Sequence, residues 1–162
     1  MKRIFITGMS GTGKSSVMEA LLAREFAAID TDYDDWCELS FLNGQSEWIW
    51  REDRMQNLLV TPRESALFVS GCRSNQAKFY RFFDYKILLS APLEVMLQRV
   101  AKRSSNPYGK SEQERAEIYL NFEYVQPLLR KSADFELDTT TMSVNEVADF
   151  LARLTSSSLQ DD

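Results

Sequence analysis

Residues 8–16 read GMSGTGKSS, three glycines interleaved with hydroxyls and followed at once by a lysine. Gly8 through Ser15 satisfies G-x-x-x-x-G-K-[ST]. An apolar Ile-Phe-Ile precedes the pattern and helical spacing follows it, the setting in which it wraps a phosphate chain. Glycines leave room for the backbone to curl so that successive N–H groups point inward at an anion. The helix opening near Lys14 adds the positive end of its dipole. Lys14 supplies a mobile charge for the β- and γ-phosphates, and the Ser15 hydroxyl is placed to ligate Mg2+. The stretch therefore predicts a nucleotide-phosphate site built from Gly8, Ser10, Gly11, Thr12, Gly13, Lys14, Ser15 and Ser16.

Phosphate binding alone does not choose between a GTPase, a motor and a kinase. No N-K-x-D stretch occurs, which argues against guanine specificity, and the apolar run ALFVSGC does not end in a metal-holding aspartate. Two carboxylates instead follow the run AAID, in Asp30-Thr31-Asp32. Residues i and i+2 of an extended segment point the same way. Asp30 and Asp32 could thus face the phosphates together, one near a metal and one near an acceptor hydroxyl whose proton it orients. The competing reading is a solvated acidic turn, since Asp34 and Asp35 come next. Arg99 and Arg103 stand four apart on an expected helix, suited to the charge of a transferring phosphoryl group or, more plainly, to a basic helix end. The polar SSNPYGKS that follows, about 104–112, reads as a short lid, with Lys110 and Arg115 as further contributors. Arg73, after the third strand, could pair with an acceptor anion or with Asp32 or Asp35. Arg51 and Arg54 have Glu47 and Asp53 as local ion-pair competitors.

These groups need a scaffold. KRIFIT, AAID, ALFVS, YKILLS and DFEL read as five short strands. Between them run helical patterns: Met18, Leu21, Leu22 and Phe26; Trp48, Met55 and Leu59, ended at Thr61-Pro62; Leu93, Met96, Leu97 and Val100. Ser111 with Glu114, and Ser143 with Glu146, have capping-box spacing, and Pro127 falls near the end of the helix that Ser111 opens. Alternating strands and helices predict right-handed crossovers and a parallel sheet between helical layers, a three-layer α/β sandwich. The expected organisation is one domain over 1–154, with a helical acceptor-binding region about 33–60 and a frayed tail at 155–162.

Composition narrows the partners. A net charge of −5 disfavours a surface devoted to nucleic-acid phosphates, and no apolar run reaches the ~20 residues of a membrane helix. With no histidine, His-based triads and His-ligated metals are excluded. The two cysteines, Cys37 and Cys72, have neither metal spacing nor a disulfide framework. The apolar N-terminal run stops at Gly8, so no secretion signal is expected. The expectation is a cytosolic monomer or homodimer acting on small molecules.

The loop GMSGTGKSS, DTD after the second strand, SGCRSNQ after the third, and LLSAPLEVMLQRVAKR before a short lid resemble small-molecule kinases of the nucleoside-monophosphate-kinase superfamily, shikimate and gluconate kinases above all. The resemblance implies a five-stranded parallel sheet, ATP as donor with Mg2+, and transfer to a small hydroxyl-bearing acceptor. By position it puts Asp30 near Mg2+ and Asp32 on the acceptor hydroxyl. It sets Arg99 or Arg103 on phosphate or adenine, and Asp138–Thr141 against adenine. Arg51 sits roughly where shikimate kinases hold an acceptor carboxylate. Gly71 stands alone where they carry a run of glycines, and Cys72 with AKFYRFF echoes gluconate kinases without matching them. A nucleoside or nucleotide kinase, an antibiotic phosphotransferase and a nucleotide-binding regulator are the rival readings.

Overall fold

The computed structural model describes residues 1–156. Five parallel strands form its sheet: β1 (Arg3–Thr7), β2 (Ala27–Asp30), β5 (Leu67–Ser70), β6 (Tyr85–Ser90) and β7 (Phe135–Asp138), in the order β2-β5-β1-β6-β7. The central strand β1 pairs Ile4 with Phe68 of β5 and Ile6 with Ile87 of β6. Chain connections diverge on either side of β1, so the carboxyl edge there opens a crevice of the kind that holds ligands in α/β sheets.

Alternation along β1 builds both cores. Ile4 and Ile6 pack under α1 (Lys14–Ala23) and α6 (Val144–Ser156), against Val17, Met18, Leu21 and Leu151. Phe5 faces the other way, onto Trp50, Met55, Phe79 and Phe83. Helices α3 (Leu93–Lys102), α4 (Glu112–Tyr124) and α5 (Gln126–Ser132) complete that second layer through Met96 and Leu129. The result is the expected three-layer α/β sandwich. Ser143 and Glu146 exchange backbone-to-side-chain hydrogen bonds of 3.1 and 3.2 Å at the start of α6, and Ser111 accepts from the Glu114 amide at the start of α4.

The structure departs from the sequence reading in several places. Residues 33–60 are not a helical region: β3 (Cys37–Leu42) and β4 (Gln45–Trp50) form an antiparallel hairpin, and only then does α2 (Glu52–Val60) begin. Asn43 and Gly44 both take left-handed backbone, φ 53° and 73°, the two-residue turn that matches strand twist. Trp48 therefore pairs with Leu39 across the hairpin, and only Met55 and Leu59 line the inner face of α2. Leu22 is exposed, because the buried arc of α1 takes Val17, Met18 and Leu21. Pro127 does not close a helix but lies in the first turn of α5, where its missing N–H is harmless. Of the expected tail, Thr155 and Ser156 close α6, and 157–162 lie outside the described residues.

Candidate active site

The glycine loop joins β1 to α1 and lies beneath α3. Gly11 has φ +82°, and a Cβ there would stand 2.5 Å from the Met96 carbonyl oxygen, so the loop reaches α3 only as glycine. Gly13 caps α1 in left-handed backbone, presenting the helix N-terminus to the cleft above. Thr12 is buried, and its hydroxyl donates to the Met9 carbonyl at 2.8 Å, bracing the loop from within. Lys14 Nζ donates to the carbonyls of Gly8 (2.6 Å) and Met9 (3.0 Å), so the ammonium already sits over the cradle. Ser10 lines the cleft, whereas Ser16 is exposed on the first turn of α1.

Beside the loop, β2 ends in Asp30-Thr31-Asp32. Thr31 is buried: its hydroxyl donates to the Ser70 carbonyl (2.7 Å) and accepts from the Trp50 indole N–H (2.9 Å). Its two neighbours turn the other way. Asp30 Oδ2 accepts from Ser15 Oγ at 2.6 Å and Oδ1 from the Asp32 amide at 3.1 Å. Burial pushes the Asp30 carboxyl up from its usual range, opposed by the Ser15 and Asp32 hydrogen bonds. Asp32 projects into the cleft and pairs with Arg73 at 3.2 Å, both side chains roughly three-quarters buried. Arg73 engages Oδ1 alone, leaving Oδ2 without a protein donor among the described residues.

Long-range contacts hold this pair in place. Gly71 is hemmed by the Thr31 hydroxyl and the Trp50 ring, whose nearest atoms would lie 3.2 Å from an added Cβ; it supports the Asp30–Asp32 segment rather than lining the cleft. Trp50 is fully buried edge-on to Phe5, ring centroids 5.5 Å apart, and anchors the hairpin to the sheet. Asn75 grips both polar groups of the Trp50 backbone, at 3.1 and 3.0 Å. Buried Gln76 accepts from the Arg73 amide (2.9 Å) and donates to Tyr80 (2.9 Å). Neither Asn75 nor Gln76 is distinguishable in the sequence from other polar residues of a loop; their roles come from partners 25 and 4 residues away.

The cleft is about 950 Å3. It is lined by Lys14 and Asp32, by Glu47 and Trp48 of the hairpin, and by Asn106, Tyr108 and Glu117. Cys37 and Cys72 both line it, as free thiols that burial pushes up from the usual range. Residues 103–111 link α3 to α4, the stretch in which the sequence suggests a lid. Tyr108 donates to Glu117 at 2.8 Å, and burial together with that carboxylate raises its phenol, keeping it a donor.

The remaining arginines take structural positions. Arg103 lies past the end of α3 in extended backbone, and its guanidinium donates to the Asn106 (3.2 Å) and Tyr108 (2.8 Å) carbonyls, bracing that link. Arg99, still helical, binds the Gly11 carbonyl, the Thr139 hydroxyl and the Thr139 carbonyl at 3.2, 2.8 and 3.0 Å. It ties the phosphate loop to the exit of β7. Neither lines the cleft. Arg51 caps α2 and is bound to Asp35 (3.1 Å) and Glu38 (3.2 Å), also away from the cleft.

Ser15 Oγ and Asp30 Oδ2 offer hard oxygen donors side by side at the mouth of the phosphate cradle. Among the described residues no group of three His, Cys, Asp or Glu side chains could hold a metal. Two such oxygens, Ser15 Oγ and Asp30 Oδ2, suit Mg2+, which takes one or two protein oxygens and completes its shell with phosphate and water. No described helix is long and apolar enough to cross a membrane.

A family model described as an AAA domain matches residues 4–120. No curated protein sequence matches the chain. Among solved structures, a shikimate kinase from Acinetobacter baumannii in complex with shikimate is 18% identical with a TM-score of 0.65, covering 99% of this chain and 96% of its own. A gluconokinase from Sinorhizobium meliloti 1021 is 19% identical with a TM-score of 0.62, covering 95% and 93%. A shikimate kinase from Aquifex aeolicus is 17% identical with a TM-score of 0.60, covering 98% and 99%. At such identities the likeness establishes a shared fold, that of small P-loop kinases.

Proposed function

The chain belongs to the AAA domain family, and from that premise we propose that it is an ATP- and Mg2+-dependent phosphotransferase acting on a hydroxyl of a small molecule. One observation carries the reading: a carboxylate with a free oxygen, Asp32, stands in the same open cleft as Lys14 of the phosphate cradle. A regulator that only binds nucleotide needs the cradle and has no use for an acid held ready in an open cleft beside it.

Loop amides and Lys14 hold the polyphosphate, Lys14 exchanging its carbonyl partners for phosphate oxygens. Ser15 and Asp30 would hold Mg2+, which when bound offsets the charge of the phosphate oxygens. Arg73 fixes the Asp32 carboxylate by one oxygen and leaves the other to accept the acceptor's hydroxyl proton. The acceptor oxygen then forms a bond to the γ-phosphorus as its bond to the β-bridging oxygen breaks and ADP departs. Arg99 acts from behind the loop, holding its backbone and the β7 exit, against which the base would lie. Arg103 acts through the lid it braces. In this reading the kinase domain spans 1–154 and its acceptor region includes the hairpin.

The test is ADP release with Mg2+·ATP across sugars, cyclic acids, nucleosides and aminoglycosides. Acceptor-dependent release that Lys14→Ala abolishes supports the reading. Tight nucleotide binding with no release on any acceptor, together with a stable protein partner, would replace it with the regulator.

A further inference from the structure

The phosphotransfer reading leaves the acceptor open, and the charges lining the cleft bear on it. Lys14 and Arg73 are the cationic side chains there. Lys14 belongs to the phosphates and Arg73 is engaged by Asp32. Arg51, the residue whose position suggested a carboxylate grip, is bound to Asp35 and Glu38 at the base of the hairpin. Arg54 lies flat on the Trp36 ring, 3.8 Å from its centroid, and donates to the backbone carbonyl of Asp34. Of the described residues that line the cleft, only Arg73 could meet an acidic acceptor, through its unpartnered Nε, and it already faces the Asp32 carboxylate.

Carboxylates, by contrast, are in excess. Besides Asp32, the cleft is lined by Asp34, Asp35, Glu47 and Glu117. Asp35 has Arg51, but among the described residues Glu47 meets only the Ser74 hydroxyl (2.8 Å) and Glu117 only the Tyr108 hydroxyl (2.8 Å), neutral donors that cancel no charge. The Asp34 carboxylate has no partner among the described residues, and its backbone is held left-handed at φ 58°. Trp48, 56% exposed, also lines the cleft and offers an aromatic face of the kind that attracts ammonium groups. A bound nucleotide adds further negative charge. An anionic acceptor would meet repulsion from several sides, whereas a cation finds counter-charges and a π face together.

We infer that the acceptor is a hydroxyl-bearing cation, an amino sugar, aminocyclitol or similar polyol amine, whose ammonium is held by the unneutralised carboxylates of the cleft, Asp34 and Glu47, while a hydroxyl reaches Asp32. This rests on the phosphotransfer reading and departs from the acid recognition implied by the shikimate-kinase resemblance.

The experiment uses matched triplets on one skeleton: glucosamine, glucose and gluconate, then an aminocyclitol, its cyclitol and a cyclic hydroxy acid. Each is titrated calorimetrically into the full chain loaded with Mg2+ and adenylyl imidodiphosphate, and each is tested for ADP release with ATP. In at least one triplet the amine binds about tenfold or more tighter than the neutral member, the size of one charge-assisted contact, and the acid binds weakest. Added salt narrows the gap. Glu47→Gln and Asp34→Asn, both exposed and nearly isosteric, each reduce the amine-to-neutral preference by about tenfold on the same grounds. Preference for the acid, an amine preference unmoved by either substitution, or failure of every amine to bind a nucleotide-loaded protein overturns the inference. ADP release with an acid as acceptor would overturn it while leaving the kinase reading standing. Failure of the nucleotide analogue itself to bind removes both.

Discussion

Replacing Asp32 by asparagine separates catalysis from binding and from folding, because the structure assigns this side chain little of either of the last two. Its fold contribution is the 3.2 Å contact to Arg73, with side chains 29% and 27% exposed. Asparagine keeps an oxygen for the Arg73 hydrogen bond, so the loss is confined to the charge component of one contact, about 1 kcal/mol. For a domain of this size that is a melting shift of about 2–4 °C at most. The Asp32 amide keeps its bond to Asp30 whatever the side chain, so the Ser15–Asp30 arrangement and the phosphate cradle should survive. Nucleotide affinity, followed by a fluorescent ATP analogue, should change by less than about fivefold, the factor to which about 1 kcal/mol corresponds. Turnover is different. A positioned general base contributes about 100- to 10,000-fold, so kcat should fall by at least about 100-fold with KM for ATP nearly constant. In free energy that is about 2.7 kcal/mol or more, well beyond the stability term. Coupled ADP-release kinetics, nucleotide titration and a thermal melt on one preparation read all three. Normal turnover on the true acceptor would refute the role of Asp32, and a parallel collapse of nucleotide affinity would show that the carboxylate organises the phosphate site instead.

Three other perturbations follow from the same contacts. Arg99→Lys gives up the fork that joins Gly11 to Thr139 at three points; about 2 kcal/mol of charge-assisted bonding should go, seen as roughly tenfold weaker ATP binding and a lower melting temperature. Unchanged ATP affinity would mean the tie does not shape the nucleotide site. Trp50→Phe removes the N–H donated to Thr31 and leaves a void between hairpin and sheet, a cost of about 1–3 kcal/mol. Since Thr31 sits between the two aspartates, KM for the acceptor should rise more than that for ATP, and equal changes would contradict the anchoring role. Cys72, tested in a Cys37→Ser background, has its thiol pushed up by burial. It is therefore neutral at pH 7.5, and alkylation by iodoacetamide should be slow there. The rate should rise about tenfold per pH unit as the thiolate fraction grows, and Mg2+·ATP should protect, because Cys72 shares the cleft with Lys14. Rapid labelling at neutral pH, indifferent to nucleotide, would place the thiol elsewhere.

Local chemistry made the phosphate cradle and the five strands legible. Glycine spacing in 8–13 and unbroken apolar runs such as Ile87–Leu89 constrain the backbone within a few residues, and neighbours in sequence do most of the work. The hairpin was open to the same logic, since Asn43-Gly44 between two alternating segments is a strong turn signal. Trp48, Met55 and Leu59, spaced seven and four apart, mimicked a helix face across the boundary between β4 and α2. Side-chain partners were a different matter. Whether Arg51 faces an acceptor or Glu38, and whether Arg103 faces a phosphate or the lid carbonyls, depends on how far the backbone turns at one residue. Both arginines stand just outside a helix, in extended backbone, with ψ of 104° and 145°. Placed one turn inside their helices, they would project along those helix faces instead of sideways into the neighbouring loops. Helix ends are the boundaries least determined by periodicity, so the residues whose roles hinge on them are those a sequence pattern assigns least well. The phosphate cradle escapes this difficulty although it too lies at a helix end, because Gly13 and Lys14 are fixed by a contiguous motif and not by periodicity. The cleft side chains on the hairpin, Glu47 and Trp48, belong to no such motif, so their placement follows from how β3 and β4 pair.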